Sequence, residues 1–240
     1  MFHSEAVRVL TKAVEAFNEL ANDVNSRSAP PRLSLSKFCR ACRLLSPLIG
    51  CMGIAFRFAD MEFSAKVGIK CSPASLCFEP PLLPPAFPVD KTHPSPTTLV
   101  DRLTKASESI DTIEALIDLD IARNAGKGSG SNSRNLIRAN RSVDLVRILF
   151  EQILAQRGNS ITGPLLTAYG QVFGPYHSLA IKTAVRAAAL TIPTKAGLLR
   201  KLKENEASSR VSMQKFVSAS SAIIQYINNL FHSTEYGDDW

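Results

Sequence analysis

Three observations predict an all-α fold. Apolar residues recur at intervals of three and four through most of the chain, no segment shows the two-residue alternation of a half-buried strand, and no internal repeat marks a solenoid. The 240 residues suffice for one domain with a sizeable core. Hydrophobic residues at 45% and charged residues at 20% give an ordinary globular balance, which argues against wholesale disorder.

The first helix is predicted from its cap and its face. Ser4 can accept at the N-terminus, Glu5 suits the first turn, and Val7, Leu10, Val14, Phe17, Leu20 and Val24 align before Pro30–Pro31 stops the run. A second helix starts near Ser34 or Ser36 and carries Phe38, Cys42, Leu45 and Ile49 on one side. Pro47, Gly50 and Gly53 predict a kink or division there, with helix continuing over 54–67.

The pattern then changes. Eight of the fourteen prolines lie between Pro73 and Pro96, and Glu79–Pro88 can be neither helix nor central strand. This stretch fits a Pro-rich ligand for a partner domain or an unpacked insertion. The insertion is preferred: residues 68–100 are read as an unstructured Pro-rich insertion within a single domain spanning 1–240.

Helical spacing resumes at Leu99 and runs, with a break, to Asn124, using Leu103, Ile110, Ile113, Leu116, Ile117 and Leu119. Gly126–Asn132 is a Gly/Ser loop, and it lacks the preceding strand and glycine spacing of a phosphate-binding P-loop. Ser133 is expected to open a long helix to about Gln156. Helices over Pro164–Phe173, Tyr176–Leu190, Lys195–Asn205 and Ser208–Phe231 complete the set.

Several function classes drop out. His3, His93, His177 and His232 show no metalloprotease spacing, and no nucleophile elbow is present. Cys39 and Cys42 have no second ligand pair and read as two small apolar side chains of a helix. No enzyme activity, metal or cofactor is expected. No secretory signal is visible, and the longest mostly apolar stretch, Leu44–Phe56, is too short to span a bilayer. A cytoplasmic protein is expected. The net charge of +7 points to an anionic partner such as a phospholipid surface, a nucleic acid or a phosphorylated small molecule. Without a recognisable module or aromatic–basic platform, no nucleic-acid binding is expected.

The helix from Ser133 is the informative element. Leu136, Val143, Val146, Phe150 and Ile153 form a buried face, and Asn140, Asp144, Arg147 and Glu151 form a solvated one. Arg134, Arg138 and Arg141 occupy a third strip that continues into Leu145, Ile148 and Leu149. Guanidinium groups beside a core need a counter-anion. Nearby carboxylates or solvent at the helix end could supply that balance. The alternative is an amphiphile, with phosphate on the arginines and hydrocarbon on the apolar strip. Glu62 and Lys66 share a helix face and are flanked by Phe56, Phe58, Met61 and Phe63, apolar surroundings for such a pair. Tyr176-His177-Ser178 follows Gly174-Pro175 at a predicted helix start.

These elements resemble the glycolipid transfer protein family, and in particular its ceramide-1-phosphate-transferring plant branch. The resemblance is carried by Cys51–Lys66, Ser133–Arg138, Val146–Ile153, Tyr169–His177 and Gly237–Trp240, in the family's order. It covers nearly the whole chain apart from about 68–100, and joining Val67 to Asp101 restores a family-like run. The resemblance implies a two-layer helical sandwich that opens around a sphingolipid's chains. It implies non-enzymatic transfer of a sphingolipid, ceramide-1-phosphate first, by a monomer in transient, peripheral contact with membranes. Glu62 would accept from the amide N–H, Lys66, Arg134 and Arg138 would hold the phosphate, and His177 would bond the ceramide carbonyl. Glu62 stands where the family pattern has Asp. That departure and the insertion leave a second reading, a lipid sensor or adaptor of the same fold with weak transfer. A link between the plant branch and restraint of programmed cell death is likewise implied by likeness.

Overall fold

The structure is a computed structural model, and it describes residues 9–26, 32–51, 99–125 and 131–234. Among them are nine helices: α1 (Val9–Asn25), α2 (Leu35–Cys51), α3 (Leu99–Ala106), α4 (Ile113–Ala122), α5 (Asn132–Ala155), α6 (Thr162–Val172), α7 (Leu179–Ala189), α8 (Lys195–Lys201) and α9 (Glu206–His232). No strand occurs among the described residues. A single antiparallel bridge joins Ser34 to Thr112, with Leu35 N–H donating to Asp111 and Ile113 N–H to Leu33. The all-α expectation holds. Ser4, Glu5 and Val7, the helix expected over 54–67 and the Pro-rich segment lie outside the described residues.

The core forms where the longest apolar faces meet. α5 packs against α2, α3, α4, α6 and α9, while α1 lies on α2 and α9. Phe216 of α9 sits at the junction. Its ring meets Phe17 of α1 edge-on at 4.9 Å and Phe150 of α5 at 5.4 Å, and all three are fully buried. Edge-to-face contact sets a positive ring edge against a negative face and adds to the gain from burial. A second tie is polar. Glu114 of α4 accepts from the Leu33 backbone N–H at 3.1 Å and from the Tyr226 hydroxyl of α9. Burial and this carboxylate both push the Tyr226 hydroxyl pKa up, so it stays a donor.

Helix ends follow local chemistry. The break between α3 and α4 comes where Ser107 turns its hydroxyl onto the Thr104 carbonyl and Thr112 caps α4 by accepting from Ala115 N–H. Asn124 closes α4 at φ 50°, a left-handed conformation that asparagine tolerates. Of the expected kink or division, α2 shows no division at Pro47 or Gly50, since it runs through both to Cys51, and Gly53 lies outside the described residues. Proline forfeits one helix hydrogen bond. Packing of Phe38, Cys39, Ala41, Cys42 and Leu45 in the core holds the helix nonetheless. No described helix is long and apolar enough to cross a membrane.

Cys39 and Cys42 are free and buried in α2, as expected of small apolar side chains. Burial pushes the Cys39 thiol up to about 11 from 9.0, and Cys42 upward as well. Since folding favours the thiol form, this contribution to stability is fully present below pH 9 and is lost as pH climbs through 11. In peptide-resolved mass spectrometry at pH 8, iodoacetamide should leave both residues unmodified in the folded protein and label both after denaturation. Labelling of Cys39 in the native state at the rate of a free thiol would contradict this burial.

Candidate functional site

The site is built on the first two turns of α5, and the start of that helix is fixed from α4. Asp120 is buried and accepts from the Ser131 hydroxyl at 2.9 Å and the Ser133 backbone N–H at 2.8 Å. Ser131 in turn caps α5 by accepting from Arg134 N–H at 3.1 Å. Thus Ser131, two residues before Ser133, is the cap, and the helix opens at Asn132 rather than Ser133. The carboxylate also favours the positive end of the helix dipole. The relay Asp120–Ser131–Arg134 sets the rotational phase of the arginine strip.

Arg134, Arg138 and Arg141 follow on one side of α5, each half-buried. The Arg138 side chain makes no hydrogen bond or ion pair among the described residues. Arg141 lays its guanidinium over the Tyr176 ring, 3.9 Å from the centroid. Further along the strip, Leu145, Ile148 and Leu149 are buried, as are Leu136, Val143, Val146, Phe150 and Ile153. The face expected to be solvated is only partly so. Arg147 bridges Asp144 and Glu151, each at 2.7 Å, but Asn140 is buried and donates to Asn228 of α9 at 2.9 Å.

His177 lies in the turn between α6 and α7, not at a helix start. α7 begins at Leu179, capped by Ser178. The turn is tight because the chain passes close to itself: a Cβ on Gly174 would lie 2.3 Å from the Gly170 carbonyl oxygen, so only glycine fits. His177 stacks on Phe173 with ring centroids 5.4 Å apart, and its Nδ1 shares a 2.8 Å hydrogen bond with the Tyr169 hydroxyl. Burial raises the Tyr169 hydroxyl above the ordinary tyrosine range. Where that hydroxyl donates to Nδ1, the imidazole proton sits on Nε2; in the other tautomer Nδ1 donates to the hydroxyl.

The Arg141–Tyr176 contact brings this turn against the arginine strip. Arg134 and Arg138 stand on successive turns of α5, and His177 follows α6, which packs on α5. Glu62 and Lys66 lie outside the described residues. Sequence reasoning missed Asp120, Tyr169 and the role of Tyr176. Tyr169 stands within the Tyr169–His177 motif, but nothing in its spacing marks the pairing. No cluster of metal-ligating residues occurs among the described residues.

Comparison with known proteins fits this arrangement. The family profile described as glycolipid transfer protein matches residues 94–204. The accelerated cell death 11 protein of Arabidopsis thaliana is 39% identical over 241 residues, covering 100% of each chain. The chain belongs to the glycolipid transfer protein family. A solved structure of a point mutant of the Arabidopsis protein, complexed with C12 ceramide-1-phosphate, superposes with a TM-score of 0.81 at 39% identity, covering 98% of this chain and 100% of that one. A human ceramide-1-phosphate transfer protein in complex with 12:0 ceramide-1-phosphate shares the fold, with a TM-score of 0.65 at 12% identity over 92% of this chain and 94% of that one. The expected two-layer helical sandwich of the glycolipid transfer protein type is the fold of this chain.

Asp120→Ala should remove both hydrogen bonds to α5 and leave their donors buried, lowering the unfolding free energy by about 3 kcal/mol. Urea denaturation followed by circular dichroism measures it, and an unchanged midpoint would show that the relay does not hold the helix start.

Proposed function

We propose that this chain is a non-enzymatic transfer protein that carries a phosphorylated sphingolipid between membranes, with ceramide-1-phosphate as cargo. The observation that supports it most is Arg138: a half-buried guanidinium with no partner among the described residues, one turn from Arg134 on α5. A guanidinium partly withdrawn from water calls for an anion. A phosphate monoester carries roughly −1.5 to −2 charges near neutral pH and accepts the two parallel bonds of the guanidinium fork. In this reading Lys66 completes the cationic group, Glu62 accepts from the ceramide amide N–H, and His177 donates from Nε2 to the ceramide carbonyl. Both Arabidopsis and human relatives have been solved with ceramide-1-phosphate.

The work of transfer is solvation. Keeping about thirty lipid methylenes from water is worth about 0.8 kcal/mol each, so a carrier needs an apolar sheath and no covalent step. Docking needs an apolar lip. Tyr176, Leu179 and Ile181 are 58%, 74% and 45% exposed beside the His177 turn, and α7 adds Lys182 and Arg186. Exposed apolar groups with neighbouring cations suit the interface of an anionic leaflet.

We read residues 1–240 as one domain with an insertion from 68 that ends before Leu99, two residues short of the expected bound, because Leu99 and Val100 are buried in α3. Arg43 of α2 pairs with Asp101 of α3 at 3.2 Å, so the helices on either side of that segment belong to one packed body.

Arg138→Glu should lower ceramide-1-phosphate transfer between vesicles at least tenfold with its circular dichroism and melting curve unchanged. Transfer at the normal rate would overturn the assigned phosphate site. Leu179→Glu should slow intervesicle transfer several-fold while binding of a dispersed short-chain ceramide-1-phosphate stays the same. Equal transfer by both proteins would remove α7 from the docking surface.

A further inference from the structure

At its C-terminal end α5 gives way to a short loop, residues 156–161, that leads into α6. Arg157, Gly158, Asn159 and Ser160 are all exposed there and belong to no helix. A helix of the length of α5 spans about 36 Å, so this loop is far from Arg134 and Arg138 at the other end. The run Arg157-Gly-Asn-Ser160 places a guanidinium three residues before a hydroxyl. Protein kinases that select substrates by charge pattern read an arginine so placed. The same spacing before Ser or Thr occurs at Arg8–Thr11 and Arg43–Ser46. Thr11 is held in α1 and Ser46 is buried in α2, whereas a kinase takes its substrate as an extended segment. Ser160 alone of the three combines exposure with a non-helical backbone.

Both groups are unengaged. The Ser160 Oγ accepts from the Thr162 N–H at 3.4 Å, and its O–H donates to nothing among the described residues. The Arg157 side chain makes no hydrogen bond or ion pair among them. The surroundings also provide for a phosphate. Arg157 and Asn159 line a cavity of about 520 Å³ together with Lys195 and Arg200 of α8. Asn159 accepts from the N–H groups of Lys195 and Ala196 at 2.7 and 2.9 Å, which holds the loop against the start of α8. Lys195 is balanced by Glu206 at 2.7 Å, and Glu204 is buried and accepts from the Ser208 hydroxyl. Arg200, like Arg157, has no hydrogen bond or ion pair among the described residues. Two exposed guanidiniums without a counter-charge thus share the cavity that the residue before Ser160 lines.

We infer that Ser160 is a phosphorylation site for a protein kinase that reads basic residues, and that the phosphate it receives pairs with Arg157 and Arg200 across this cavity. In the transfer the Ser160 Oγ forms a bond to the γ-phosphorus of ATP, and the bond from that phosphorus to the β,γ-bridging oxygen breaks. ADP leaves, and the hydroxyl proton passes to the base of the kinase. Phosphoserine carries roughly −1.5 to −2 charges near neutral pH and three acceptor oxygens, enough for both guanidiniums. The loop before α6 and the helix α8, joined in the unmodified chain through Asn159, then gain an ionic tie.

Incubation of the full chain with ATP and a kinase that reads Arg-x-x-Ser, followed by phosphopeptide mass spectrometry, tests the site. Ser160 should carry phosphate and Ser46 none, and Arg157→Ala should slow the modification at least tenfold. Arg138→Glu should be phosphorylated as fast as the unaltered chain, and Ser160→Ala should transfer ceramide-1-phosphate at the unaltered rate, so the inference stands apart from the lipid reading. Thermal melting followed by circular dichroism tests the pairing. The phosphorylated chain should melt about 3 °C above the unmodified one, and Arg200→Gln should remove at least half of that rise. Phosphate absent from Ser160, or arriving equally fast on Arg157→Ala, would overturn the site. A melting point unmoved by phosphorylation, or a rise of the same size in Arg200→Gln, would overturn the pairing.

Discussion

The organisation of this molecule rests on α5 being enclosed by its neighbours while bearing arginines along one side. Five helices pack on it, and its leucine, isoleucine, valine and phenylalanine side chains are buried. Charge on such a helix is tolerable only where an anion or solvent meets it. The arginine strip occupies the first three turns, whose phase Asp120 and Ser131 fix, and the later Arg147 is balanced by Asp144 and Glu151. In the proposed reading the same helix serves as keel and as binding surface, and the site inherits its rigidity from the packing that stabilises the fold.

The His177 side works differently. It is a turn, held by a glycine with no room for a side chain, by aromatic stacking and by a hydrogen bond between His177 and Tyr169. A turn can shift where a central helix cannot. A lipid carrier needs both: a fixed point for the headgroup and an edge that yields as chains enter.

Much of this was legible in the sequence, and the failures share a cause. The apolar faces of α1 and α5 were evident from spacing alone, because burial of one helix face is a local pattern. Arg134 and Arg138 were located by the same periodicity. Asn140 was assigned to a solvated face, since its partner Asn228 lies 88 residues away and no local pattern announces it. Asp120 was not singled out from the sequence, because its burial follows from how α4 meets the start of α5. His177 was placed in a helix because the steric limit at Gly174 arises from the path of the backbone. Local chemistry predicts faces and caps, and long-range pairings are decided by packing.

The ring of Phe216 has a consequence for synthesis. It joins Phe17 and Phe150, and it is supplied by α9, which follows α1 to α8 in the chain. A nascent polypeptide emerging from the ribosome can assemble α1 through α8 and still lack the wedge that closes its interior. Until α9 emerges, those two phenylalanines lack the ring that packs against both, so closure of the core waits on the synthesis of α9.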